Sequence, residues 1–156
     1  MSRILPRLTW IVICTVLIIS STSCSDEDAA DLSASVAVDG VSVEVFGSTN
    51  LLPGSRLSIW GWNHAESARA GVRILAGLPM TAMVNSNGSY SVQLAAGSWP
   101  PGMTTIVVAF YPGSGQPHHV IERYGQAGHN LRGPKVREDS DGTRILDVSV
   151  DLVIGD

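Results

Sequence analysis

The chain has 156 residues, with 10 Lys and Arg against 14 Asp and Glu, a formal net charge of -4. Charged residues make up only 15%, against a usual share of about 25%, and Lys135 is the single lysine. No clustered basic surface exists to neutralise phosphates, which excludes most nucleic-acid binding, and 16 Gly with 8 Pro mark a turn-rich fold. The chain opens with Arg3 and Arg7, then an apolar run from Leu8 to Ile19, then Ser20, Ser21, Thr22 and Ser23. A basic start, a short apolar run and small residues read as a secretory signal over 1–23. The run is shorter than the roughly 20 residues a spanning helix needs.

Cys24 follows directly on Ser21-Thr22-Ser23. This arrangement resembles the lipobox of bacterial lipoproteins, in which the cysteine becomes the first mature residue and carries lipid. Ser21 departs from it, because Leu is usual three residues before the cysteine. An ordinary cleaved signal that contains a cysteine is the competing reading. Of the two cysteines, Cys14 would leave with the signal, and lipid on Cys24 explains the one that stays. The expected protein is therefore extracytoplasmic and anchored through Cys24 to the bacterial cell membrane or outer membrane. By analogy with other lipoproteins, Ser25 rather than Asp after Cys24 permits outer-membrane sorting. The mature chain has 8 basic and 14 acidic residues, and Asp26, Glu27, Asp28 and Asp31 make 24–31 an acidic tether. The folded domain is expected over 32–156.

That domain reads as strands. Ser33 to Val38 and Val41 to Phe46 alternate around Asp39-Gly40, a hairpin signal with both turn residues at positive φ. After the turn-rich stretch Gly47 to Ser55, a strand is predicted from Arg56 to Trp62. A small-residue loop follows at Ala65 to Gly71, then a weaker strand at Val72 to Leu75. Thr81 to Val84 and Ser89 to Leu94 flank Asn85-Ser86-Asn87-Gly88 as a second hairpin. Met103 to Tyr111 holds the continuous apolar run of a central strand. Pro117 to Tyr124, stopped by Gly125, is the one helix candidate. The last strand is Arg144 to Ile154, with Leu146, Val148, Val150 and Leu152 on one face. Seven to eight short strands with regular turns predict an all-β, two-sheet antiparallel β-sandwich.

Three stretches carry a further likeness: Gly47-Ser48-Thr49-Asn50-Leu51-Leu52-Pro53-Gly54-Ser55-Arg56-Leu57, Trp99-Pro100-Pro101-Gly102, and Gly125 to Pro134. Together they resemble a group of small secreted or lipidated bacterial proteins with an immunoglobulin-like β-sandwich and no settled activity. The resemblance implies the fold and the location and brings no catalytic residue.

Chemistry-bearing constellations are few. His118, His119 and Glu122, with His129, have a metal-like look, but adjacent residues on one element point apart. Exposed loop histidines are the favoured reading over a metal or enzymatic site. No G-x-S-x-G elbow occurs, Gly113-Ser114-Gly115 opens no clear helix, and nothing places Glu44 opposite Glu122. Asn87-Gly88-Ser89 reads as turn chemistry. No cofactor is implied, and the chain is not expected to be an enzyme.

Trp60-Gly61-Trp62 stands out. Leu57, Ile59 and Gly61 share one strand face, and Arg56, Ser58, Trp60 and Trp62 share the other. With Leu57 and Ile59 inward, both indoles project outward beside Arg56, with Asn63 and His64 as polar contacts at the end. Cover by Trp99 or by the Ala65 to Gly71 loop is the alternative, favoured by the usual burial of tryptophan. The leading expectation is a non-catalytic interaction or structural module that contacts an envelope protein or a glycan. A carbohydrate-binding module using Trp60 and Trp62 is the runner-up.

Overall fold

A computed structural model describes residues 29–113 and 115–155. Cys24 and the predicted signal lie outside the described residues. Among those described, no helix is long and apolar enough to cross a membrane.

Two antiparallel sheets face each other. One holds β1 (Ser35–Asp39), β2 (Ser42–Ser48) and β5 (Ser89–Ala95), in the order β1-β2-β5. The other holds β3 (Arg56–Asn63), β4 (Met80–Met83), β6 (Gly102–Phe110), β7 (Val136–Glu138) and β8 (Arg144–Ile154), in the order β4-β3-β6-β8-β7. The predicted alternation places the core. Val43 and Val45 of β2 and Tyr90 and Leu94 of β5 meet Leu57, Ile59, Ile106, Val108, Phe110, Leu146 and Leu152 of the larger sheet. The continuous apolar run lies in β6, paired on both sides by β3 and β8.

Helix α2 (His118–Tyr124) forms where proline and glycine signals predict it, and Gly125 closes it. It buries Val120 and Tyr124 against the sandwich. The Tyr124 ring meets Phe110 edge-on at 5.3 Å, and its hydroxyl accepts from the Leu52 N–H at 3.3 Å.

Four expectations are corrected. The first hairpin closes on Asp39 and Ser42, one residue later than read. Gly40 alone has positive φ (55°) and Val41 does not, the pattern of a type II′ turn with glycine first. Ala65 to Gly71 is no loop, because His64–Ala70 forms helix α1. Its Asn63 cap accepts from the Glu66 N–H at 3.0 Å, Glu66 lies in the first turn, and Gly71 ends it at φ 69°. Val72 to Leu75 is not a strand. Ile74 and Ala76 satisfy the edge of β3 through Asn63 N–H to Ile74 O (3.2 Å) and Ala76 N–H to Gly61 O (2.8 Å). Leu75 makes one isolated bridge to Trp62. Gly77-Leu78-Pro79 then interrupts the row before β4. Finally, the turn at 85–88 is real, with Gly88 N–H to Asn85 O at 3.0 Å, yet β4 pairs with β3 and β5 with β2. The connection is an arch between sheets, not a hairpin.

The stretch read as the end of a tether is docked. Asn50 accepts from the Asp31 N–H (2.7 Å) and donates to the Ala29 carbonyl (2.7 Å), while the Thr49 hydroxyl donates to the Asp31 carbonyl (2.6 Å). From the other side, Ala30 N–H reaches Arg132 O (2.6 Å), and Lys135 Nζ reaches both Asp31 Oδ1 and Leu32 O (2.7 Å each). Ala30 and Leu32 are buried. At Gly47 a Cβ would overlap the Ser33 carbonyl, to which the Tyr90 hydroxyl donates at 2.6 Å.

Gly47→Ala should therefore cost about 2 to 3 kcal/mol, by overpacking a close backbone crossing. Asn50→Ala should cost about 1 kcal/mol through two lost bonds at an exposed site. Urea unfolding measures both, and limited proteolysis should cut near residues 29–33 sooner in each variant. The bond from Lys135 holds the Asp31 carboxyl below its ordinary value of 3.8. Its contribution is present above pH 3.8 and disappears as pH falls through the lower folded value, because the unfolded chain binds the proton first. Asp31→Asn should flatten that part of the acid stability profile.

Candidate functional site

The outward face of β3, β6 and β8 carries the site. Register sets its rows: Trp60 lies beside Val107 and then Ser149, and Trp62 beside Thr105 and then Asp151. Leu57, Ile59 and Gly61 point inward and are buried, so both indoles emerge on the opposite face, as the alternation requires. They are half-buried. Trp99 does not cover them. It is buried in the core against Gly77.

The two indoles have different surroundings. Trp60 lies against Tyr111, with centroids 6.3 Å apart and planes tilted by 35°. Trp62 is capped on one side by the Arg73 guanidinium, 4.5 Å from its ring, and stacks with His64 at 6.4 Å. Both indoles border one groove. With Val107 and Ser149 as floor, they line a groove of about 540 Å³ whose walls include Arg73, Tyr111, Arg137, Asp139 and Asp147. That volume lies within the range of small-molecule sites, about 300–1,000 Å³.

The charges in the groove are tied together. Arg137 Nε donates to Asp147 Oδ2 at 2.9 Å, and Nη1 lies 3.9 Å from Asp139 Oδ1. The Asp147 hydrogen bond raises the guanidinium further above its ordinary value. Arg73 has no acidic partner among the described residues and meets only Trp62. Burial raises the Tyr111 phenol above 10, so it stays protonated and can donate. One row further, the Thr105 hydroxyl donates to Asp151. Its single proton is then used, so its oxygen accepts from His64 Nε2–H at 2.7 Å. This puts the proton of that hydrogen bond on His64 Nε2.

The residues expected from sequence are thus divided. Trp60, Trp62 and His64 share the outer face. Arg56 turns away, donating to the Gly115 carbonyl at 2.8 Å. Asn63 is fully buried, capping α1 and donating to Pro100 O at 3.1 Å. Arg73, Tyr111, Arg137, Asp139 and Asp147 were missed. Only Asp147 had a sequence signal, as an outward position on the last strand.

The histidines make separate contacts. His118 Nδ1 lies 3.3 Å from Glu122 Oε1 on an exposed turn of α2, His119 Nε2 meets Pro53 O at 2.9 Å, and His129 packs on Gly125. Among the described residues no three His, Cys, Asp or Glu side chains gather to hold a metal. A second hollow of about 590 Å³, lined by Leu75, Leu78, Met80, Leu94 and Trp99, is apolar and brings no charged group. Of these two hollows the groove is the better candidate, because it joins aromatic surface to converging polar groups.

No protein-family model matches the chain, and no curated protein matches it.

All three tyrosines are raised above the ordinary value of 10, each first by burial: Tyr90, Tyr111 and Tyr124. A spectrophotometric titration of native protein should show no step at pH 10, and denaturant should restore it. The sign follows: this contribution to stability is full below pH 10 and is lost as pH rises through the higher folded values.

Proposed function

We propose that this protein is an extracytoplasmic lipoprotein, anchored through Cys24, whose immunoglobulin-like sandwich is a non-catalytic binding module. The groove lined by Trp60, Tyr111, Arg137 and Asp147 carries the reading. It joins exposed aromatic surface to oriented polar groups, and its acids are committed to Arg137 rather than facing a shared reaction space. Aromatic and arginine side chains are the residues that dominate binding surfaces.

The strand order supports the finer fold. With β1, β2, β3, β4, β5, β6 and β8 lettered A, B, C, C′, E, F and G, the sheets read A-B-E and C′-C-F-G. That is an immunoglobulin-type arrangement without its D strand, and β7 is an addition at the G edge. The export signal, the cysteine at its end and the acidic residues after it support the anchor.

Cys24→Ser should abolish incorporation of an alkyne fatty acid and move the protein from the membrane to the soluble fraction. Retention of the intact precursor in the cytosol would overturn the location. Trp60→Ala together with Arg137→Ala should reduce capture of the protein's envelope partner by about tenfold or more, with the thermal midpoint held as a folding control. Unchanged capture would remove the groove from the function.

A further inference from the structure

The two tryptophans are unequal, and the charges between them cancel. Arg73 and Arg137 stand against Asp139 and Asp147, two of each, on the groove wall. A polyanion would meet the two acids and a polycation the two arginines, each at close range. An uncharged ligand that both donates and accepts hydrogen bonds meets no such repulsion. The aromatic surface sets its shape. One side of Trp62 is already covered by Arg73, so that indole is spent as support for a cation. Trp60 keeps the Tyr111 ring at its side, with Val107 below. Arg137 is held by Asp147 through Nε, half of its side chain stays exposed, and its Nη2 makes no bond to a described residue. Donor and acceptor are therefore paired in a fixed orientation beside one apolar ring face.

We infer that the groove binds a neutral pyranose oligosaccharide, one ring stacked at the Trp60 and Tyr111 station with its hydroxyl edge on the Arg137–Asp147 pair, while Trp62 positions Arg73 and does not stack on sugar. This rests on the reading of the groove as the binding site. A pyranose has an apolar C–H face for the indole and neighbouring hydroxyls that accept from a guanidinium and donate to a carboxylate. A protein partner would need a wider contact than one groove of this size supplies.

The test uses the full-length lipoprotein in detergent, titrated by tryptophan fluorescence with neutral hexose and N-acetylhexosamine oligomers, polygalacturonate and chitosan. Neutral oligomers should bind with little dependence on salt, since no net charge is neutralised. Trp60→Ala and Asp147→Asn should each weaken binding by about tenfold, whereas Arg73→Gln should change it by less than about threefold. Trp60→Phe keeps an aromatic face and should restore most of the affinity, which separates lost stacking from lost folding. Binding only to polygalacturonate or to chitosan would overturn the inference, as would an Arg73→Gln loss equal to that of Trp60→Ala. If no glycan binds but groove variants still abolish capture of an envelope protein, the glycan inference fails and the binding-module reading survives. If neither changes, both fail.

Discussion

The register of β3 against β6 is the constraint from which the rest follows. Gly61 lies opposite Ile106, and a Cβ there would stand 2.8 Å from the Ile106 Cδ1. Only with Gly61 inward can Leu57 and Ile59 reach the core, and only then do Trp60 and Trp62 emerge on the far face. A slip of one residue would bury two indoles and expose two aliphatic side chains. The Val107 and Thr105 positions of β6 and the Ser149 and Asp151 positions of β8 fall into line with the indoles by the same register. The groove floor is thus a product of pairing rather than of any local motif.

A second constraint operates at the entry of the domain. Two segments far apart along the chain meet there. Thr49 and Asn50 from one, and Arg132 just before Pro134 from the other, hold Ala29 to Asp31 between them, and Lys135 adds an ion pair. At Gly133 a Cβ would overlap the Ala30 carbonyl, so the backbones cross where no side chain fits. These residues fasten the first segment to the sandwich and have no part in the groove.

Three segments depart from their local patterns, each for its own physical reason. Asn63-His64-Ala65-Glu66 carries a cap and an acid three residues on, a legible helix start. The following Ala-rich segment was too short and too polar to show a buried face, and α1 indeed buries no residue. Val72 to Leu75 has the composition of a strand, but β3 has room on its edge for only a few backbone bonds before Pro79 ends the row. The turn at Asn87-Gly88 has hairpin chemistry on both sides. Whether its strands pair with each other depends on which sheet has a vacancy, and β2 and β3 already provide one each.

Alternation was enough for β1 to β5, for β8, for the inward set of β2 and β3 and for the outward turn of Trp60 and Trp62, because side-chain direction in a strand repeats every two residues; the central place of β6 showed in its continuous apolar run, and β7 (Val136–Glu138) carries neither pattern. Tertiary structure alone decided what stands beside those indoles. Arg73 arrives from the chain after α1, Arg137 and Asp139 from β7 and its turn, and Tyr111 from the end of β6. Residues so distant along the chain become neighbours only through sheet order, which no local pattern encodes. Asn63 shows the same limit in reverse: its alternation places it inward, and its partners at Pro100 and Glu66 turn an expected ligand contact into a buried cap.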